Sequence, residues 1–265
     1  MSTDALWRIS TDGPLGLAVV LLFAALMAGF ALFARRARKG TTPRPPAFRP
    51  IEAYSRLPRA IGEAVETGRR LHISLGSGSV GASDTASILA GLTIVEIVAQ
   101  AASASDKPPV VTAGDGTASI LAQDALRRVY TRQNLIERYD PNAGRLAGAT
   151  PLSFAAGAMM TVPDETTAAN LVTGSFGTEI ALITEAGARA GITQIAGAGD
   201  PTAQALAYAG ADHPLVGEEL YVAGAYLRSF PAHVGSVRAQ DAMRVLIVVA
   251  IVVLAIARAL GLGTP

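Results

Sequence analysis

Between residues 71 and 208 the chain repeats one local pattern five times: a short apolar strand, a turn of small residues, then a helix. The units are LHISL-GSGSVGASD-TASILAGLTIVEIVAQAASA, PVVTA-GDG-TASILAQDALRRVYTR, RLAGA-T-PLSFAAGAMMTV, NLVTG-SFG-TEIALITEAGARA and TQIAG-AGD-PTAQALAYAG. The string TASILA occurs verbatim at 85–90 and 117–122. Continuously apolar strands alternating with helices imply parallel βαβ units whose helices cover both faces of one sheet. The expected fold is α/β: a Rossmann-like, doubly wound, mostly parallel sheet of about five strands with right-handed crossovers. A further short helix is expected to start at Pro58 and stop before Gly68.

The helix of the first unit, over 85–104, carries only Glu96 and Gln100 as large polar residues. A helix apolar nearly all round is buried on more than one side. One side is the sheet. The other is either a neighbouring subunit or the protein's own layers.

Both ends of the chain are apolar. Residues 14–34 hold no charge, and about 1.5 Å of rise per residue carries such a run across the roughly 30 Å of a bilayer's hydrocarbon. Residues 242–262 form a second run whose uninterrupted core is 245–257, with Arg244 and Arg258 placed to snorkel. Only 16% of the chain is charged and its mean hydropathy is +0.37, whereas soluble domains carry about 25% charge. In the first run the basic residues follow the apolar stretch, which favours an uncleaved anchor over a signal peptide.

Basic residues set the expected orientation. Arg35, Arg36, Arg38, Lys39, Arg44 and Arg49 follow the first run, and Arg228, Arg238 and Arg244 precede the core of the second. The positive-inside rule then puts both termini outside a bacterial plasma membrane and the main domain in the cytoplasm. The expected organisation is an outer tail (1–13), a transmembrane helix (14–34), a basic Pro-rich linker (35–57), a cytoplasmic Rossmann-like domain (58–227), a juxtamembrane segment (228–241) and a transmembrane helix (242–262). The Pro-rich stretch GTTPRPPAFRP reads as a semi-rigid spacer. Residues 51–227 carry a net charge of −7, with 11 basic and 18 acidic side chains. An acidic body is a poor partner for nucleic acid, which needs clustered Lys and Arg. The lipid bilayer is the expected partner, together with further copies of the chain or other membrane subunits. Small residues four apart in the first run, Ala24 with Ala28 and Ala25 with Gly29, give some support for close helix association.

Candidate chemistry is sparse. Gly76, Gly78 and Gly81 spell G-x-G-x-x-G between a strand and a helix, the context of a dinucleotide-binding turn, and Asp115 ends the second strand where a ribose-binding acid would sit. Asp115 lies beyond the usual spacing of about 20 residues. The competing reading is that Asp84, Asp115, Glu179 and Asp200 each cap a helix start, so that a phosphate there would meet a carboxylate. Cysteine is absent, no phosphate-binding G-x-x-x-x-G-K-[ST] motif occurs, and Lys39 and Lys107 are the only lysines. His72, His213 and His233 are far apart; His72 reads as a structural strand residue, and His213 in Ala-Asp-His-Pro as part of a turn. Ser77 and Ser175 lack a G-x-S-x-G context, so no catalytic residue and no metal ligand is assigned.

The segments RPIEAYSRLPRAIGEAVETGRRLHISLGSGSVG, LVTGSFGTEIALITEAGARAG, GADHPLVGEELYVAGAYL and AHVGSVRAQDAMR, in that order between two apolar runs, resemble a prokaryotic (Chloroflexota-type) membrane protein family described only as a domain of unknown function. The resemblance implies a bacterial membrane protein and carries no catalytic residue with it. The expected function is a membrane-anchored, self-associating structural scaffold without catalytic activity and without a cofactor. The alternatives are a binding or enzyme module taking a nucleotide or small anionic ligand over residues 76–81, and an accessory subunit of a larger membrane complex.

Overall fold

A computed structural model describes residues 14–38, 48–103, 105, 107–164 and 166–259. The outer tail, residues 39–47 of the Pro-rich linker and the last residues of the second apolar run lie outside the described residues. The chain divides into two compact units, one of residues 48–228 and one containing the helices of the two apolar ends.

The larger unit is built on one six-stranded sheet, all parallel, in the order β3-β2-β1-β4-β5-β6. The strands are β1 (Arg70–Gly76), β2 (Val110–Ala113), β3 (Gly144–Leu146), β4 (Thr167–Ser175), β5 (Thr193–Ala198) and β6 (His213–Leu215). This is the Rossmann order, with strand order reversing between β1 and β4. Both central strands are buried along nearly their whole length, as their unbroken apolar and small-residue runs require. The sixth strand was not expected. It is three residues long and contains Pro214, which an edge strand tolerates because one side of its backbone faces no partner. His213 therefore begins a strand rather than occupying a turn, and Asp212 before it accepts a hydrogen bond from the Gln194 backbone N–H at 2.8 Å.

The connecting helices are α3 (Thr85–Ala102), α4 (Gly116–Arg132), α5 (Pro151–Asp164), α6 (Ile180–Arg189) and α7 (Pro201–Gly210), preceded by α2 (Glu52–Thr67) and followed by α8 (Ala223–Arg228). α5, α6 and α7 close one side over a core of Phe154, Val172, Phe176, Ile180 and Ile183. α3 packs against the sheet and against α2, α4 and α8. Most of its apolar circumference is thus covered within the protein's own layers, with Leu89 left half exposed. Among the described residues α3 is the one helix long and apolar enough to cross a bilayer, but it is half buried here and serves as a core helix.

α2 begins six residues before Pro58. Buried Tyr54 and Leu57 extend the helix upstream, and the Tyr54 hydroxyl donates to the Glu219 carbonyl at 2.5 Å. Burial, with Glu219 nearby, pushes that hydroxyl far above the ordinary tyrosine range, so it stays a donor. The helix ends where expected, at Gly68 in the left-handed conformation. The two TASILA strings occupy the first turns of α3 and α4, yet Ile88 is fully buried and Ile120 is exposed. Thr85 is the first residue of its helix and Thr117 the second of its own, and one residue rotates a helix by about 100°.

A buried polar ladder crosses the middle of the sheet. Gln194 Nε2 donates to the Thr184 and Gly210 carbonyls at 2.9 and 3.2 Å, so its Oε1 accepts from Asn170 Nδ2 at 3.1 Å. Asn170 Oδ1 is left to accept from His72 Nδ1 at 2.8 Å, and His72 Nε2 meets Thr112 Oγ1 at 2.9 Å. His72, Asn170 and Gln194 are direct register partners on β1, β4 and β5. All are buried, as is Thr112, and His72 is structural as expected.

The second unit holds α1 (Pro14–Arg38) and α9 (Pro231–Ala259). α9 is continuous through the expected juxtamembrane segment into the second apolar run. The two helices pack together, and a Cβ on Gly235 would lie 2.6 Å from the Ala31 backbone nitrogen. Within α1, Val19–Leu32 is a shorter apolar stretch, and Val20, Leu21, Leu32, Val245, Val248 and Ile251 are exposed.

Asn170→Ala strands two buried polar groups, on His72 and Gln194, each worth about 1–3 kcal/mol. Urea unfolding should show a loss of at least about 2 kcal/mol, while the exposed Gln100→Ala should stay within about 0.5 kcal/mol.

Candidate functional site

Where strand order reverses in a doubly wound sheet, the loops leaving the two diverging strands part and leave a crevice at the carboxyl edge. Here the crevice is a cleft of about 540 Å³ above β1, β4 and β5. Ser77, Gly78, Ser83, Asp84 and Ser87 line it from the first unit. Ser175, Phe176 and Gly177 come from the turn after β4, and Gly199, Asp200 and Pro201 from the turn after β5. Tyr221 closes one side from the 3₁₀ segment Gly217–Val222, and its hydroxyl meets Ser87 Oγ at 2.9 Å.

That segment is held in place by several bonds. Its Gly217 N–H donates to Gln204 Oε1 at 3.0 Å and Glu219 accepts from the Val216 N–H at 3.0 Å. Arg49 pairs with Glu219 as well.

The glycines act first through the backbone. Gly76 has φ +93°, and a Cβ on it would lie 1.7 Å from the Ser175 carbonyl oxygen. The Gly78 N–H donates to that same oxygen at 3.2 Å, and the Gly114 N–H to the Gly76 carbonyl at 2.8 Å. Gly76 and Gly78 therefore let the end of β1 close on the ends of its neighbours. Gly81, at φ +101°, has open space around it and lies four residues before α3, its N–H donating to Thr85 Oγ1 at 2.8 Å. In a dinucleotide turn the third glycine lets the helix pack on the sheet. In this protein Gly91 does that, with a would-be Cβ 2.3 Å from the Thr173 carbonyl oxygen. Asp115 stands away from the cleft lining; it caps α4, accepting from the Ala118 N–H at 3.0 Å, with Ser79 Oγ at 3.3 Å. Of the four residues singled out by the sequence, Gly78 lines the cleft and the other three shape its surroundings.

Two of the four turn acids cap a helix and two do not. Asp115 and Asp200 have extended backbones (ψ 138° and 135°), which let the carboxylate fold over the first N–H groups. Asp84 and Glu179 are already helical (ψ −10° and −19°), so their side chains leave in another direction. Asp84 accepts from Ser83 Oγ at 2.9 Å. Buried Glu179 accepts from Ser77 Oγ at 2.5 Å and the Gly177 N–H at 3.0 Å.

The lining is thus hydroxyl groups, two carboxylates, two aromatic rings and glycine backbone, with no lysine, arginine or histidine. Nothing in it neutralises a bare phosphate. Among the described residues no three histidine or carboxylate side chains converge as metal ligands. Ser83, Ser87, Phe176 and Tyr221 were not legible as site residues. Ser87 sits inside an ordinary-looking helix, and Tyr221 reaches the cleft from well over a hundred residues away in sequence.

Residues 14–264 match the family described as Domain of unknown function (DUF6754). The chain belongs to that family. The DUF6754 match spans the Rossmann-like unit and both terminal helices, so the helices are part of the domain the family shares. No curated protein and no solved structure matches the chain.

Gly76→Ala should prevent folding or destabilise by more than about 3 kcal/mol, because backbone atoms of β4 must move. Gly81→Ala meets only backbone strain and should lose about 1–2 kcal/mol. Equal losses in thermal and urea unfolding would contradict this division of roles.

Proposed function

We propose that the protein is a membrane-anchored binding module whose Rossmann-like unit takes a small hydroxyl-bearing ligand, uncharged or cationic, in the cleft at the strand reversal. The cleft itself carries the reading, since it sits where doubly wound folds bind their ligands. Four serines and Tyr221 supply donors and acceptors for hydroxyl groups, Asp84 and Asp200 favour a neutral or positive ligand, and the Tyr221 ring offers an aromatic face. A nucleoside or sugar fits this chemistry. A free nucleotide phosphate does not, unless a cation accompanies it.

Anchoring is supported by the exposed apolar side chains of α1 and α9 and by the family domain's inclusion of both helices. The basic residues beside the two runs favour an orientation with both termini outside the plasma membrane and the acidic unit inside. Carbonate washing should leave the protein in the membrane, and protease added to intact spheroplasts should spare residues 48–228. Digestion of that unit from outside would reverse the orientation.

A melt of the purified full chain against nucleosides, monosaccharides and polyamines tests the cleft. A ligand at about 100 times its Kd stabilises the folded form by about 2.7 kcal/mol. Ser83 is exposed, so Ser83→Trp should fill the cleft and abolish the shift without lowering the unliganded melt. Shifts confined to phosphorylated compounds would overturn the assigned ligand charge, and no shift at all would remove the binding reading.

Self-association is favoured by one further observation. On α5, Leu152 and Met160 are 70% and 57% exposed, with exposed Ala156 between them on the same face. Leu152→Glu with Met160→Glu should halve the particle mass in mild detergent if this face joins two copies.

A further inference from the structure

A hydroxyl group carries one donor hydrogen and two acceptor lone pairs, so a hydroxyl that already donates can only accept from a ligand. Two hydroxyls of the cleft are in that state. Ser77 Oγ donates to Glu179 Oε1 at 2.5 Å, and Ser83 Oγ donates to Asp84 Oδ1 at 2.9 Å. Ser87 and Tyr221 meet at 2.9 Å and use one of their two hydrogens on each other. Backbone donors are occupied in the same way. The Gly78 N–H goes to the Ser175 carbonyl and the Gly177 N–H to Glu179, and Pro201 has none.

Open acceptors outnumber the remaining donors, and carboxylates are among them. Asp200 Oδ1 takes the N–H groups of both Thr202 and Ala203, which leaves Oδ2 over. Asp84 Oδ2 accepts nothing among the described residues. Glu179 is only 8% exposed, and its Oε2 lies 2.8 Å from where a Cβ on Gly177 would stand, again with no donor among the described residues. A buried anionic oxygen without a donor is destabilising, so a ligand that brings donors and positive charge gains most here.

Two of these groups converge over Gly78. A Cβ on Gly78 would lie 2.3 Å from Ser175 Oγ and 2.8 Å from Asp84 Oδ2, so one small group above the glycine can touch both. An ammonium offers that place three donors and a positive charge, whereas a hydroxyl offers one donor and no charge.

We infer that the cleft selects a primary amine, its ammonium over Gly78 between Asp84 Oδ2 and Ser175 Oγ, with hydroxyls carried beside the amine donating to Ser77 and Ser83. An amino sugar or amino alcohol has this chemistry. The inference rests on the cleft being the binding site, as proposed above, and narrows its ligand.

Glucose and glucosamine differ in one hydroxyl replaced by an amine, and N-acetylglucosamine keeps the nitrogen without its charge. Titration calorimetry on the purified full chain in mild detergent gives their Kd values for wild type, Asp84→Asn and Glu63→Gln. Wild type should hold glucosamine about ten-fold more tightly than either neutral sugar, the contribution of one charge-assisted hydrogen bond. Asp84→Asn should remove the preference, and its unliganded melt should match wild type because the Asp84 side chain makes no cap bond on α3. Glu63→Gln removes an exposed carboxylate of α2 outside the cleft and should leave the preference intact. Equal affinity for glucose and glucosamine, or a preference that survives Asp84→Asn, overturns the amine while leaving the cleft in place. The same loss in Glu63→Gln attributes the preference to the net charge of the unit and also overturns the amine. A melt shift by magnesium ion that Asp84→Asn removes assigns the carboxylate to a metal, with the same consequence. If none of the three sugars binds while a nucleoside still shifts the melt, the amine alone falls; if no compound binds, the cleft reading falls with it.

Discussion

β1 and β4 pass so closely at their carboxyl ends that Gly76 and Ser175 make backbone contact, and much of the larger unit follows from that approach. A side chain at Gly76 would occupy the position of the Ser175 carbonyl oxygen, and one at Gly78 would lie 2.3 Å from Ser175 Oγ. At the same place the helices leaving the two strands diverge, α3 towards β2 and α6 towards β5. Strands that close tightly while their helices part create a crevice whose floor is backbone and whose walls are turn residues. Gly76 and Gly78 of the first turn are thus required by the sheet, whatever occupies the cleft. For this reason a G-x-G-x-x-G string is weak as a sign of a nucleotide: its first two glycines are already explained by strand packing.

The architecture was legible because period and burial leave a strong mark. Continuously apolar strands followed by small-residue turns can only be parallel and covered on both faces, and five of the six strands follow from that pattern. The sixth left no such mark. Three residues with a proline at the sheet edge need neither an apolar run nor a full hydrogen-bond ladder. The surroundings of α3 were illegible for a different reason. An all-round apolar helix announces burial but not the identity of what buries it, and α8, which helps to cover it, is remote from it in sequence order. The identical TASILA strings make the same point at single-residue scale, since composition was the same and the helix start decided which isoleucine went inside.

The cleft was less legible than the fold. Four acids at four helix starts look alike in sequence, yet backbone ψ at each one decides whether its carboxylate caps the helix or leaves for the cleft or the interior. That angle is set by how each turn meets the neighbouring strand, which local pattern does not encode. Tyr221 reaches Ser87 only because Tyr54, Arg49 and Gln204 hold its segment against the unit.

The polar ladder of Thr112, His72, Asn170 and Gln194 gives this tightly built edge a reason to keep its register. Apolar strands slide past one another at little expense when every residue is small or branched, as in TAANLVTGS and TQIAGA. A slip of one residue would place each ladder group opposite a hydrocarbon side chain, leaving several buried donors and acceptors without partners. The ladder lies four residues below Gly76 on β1 and five below Ser175 on β4. The extra residue on β4 is absorbed by a register shift between Ser74 and Gly76, next to the close approach itself. A polar row that permits one alignment, followed by a single bulge, brings the two carboxyl ends to the height at which the Gly76 and Ser175 backbones meet. The cleft geometry thus depends on groups buried beneath it, which a ligand would never touch.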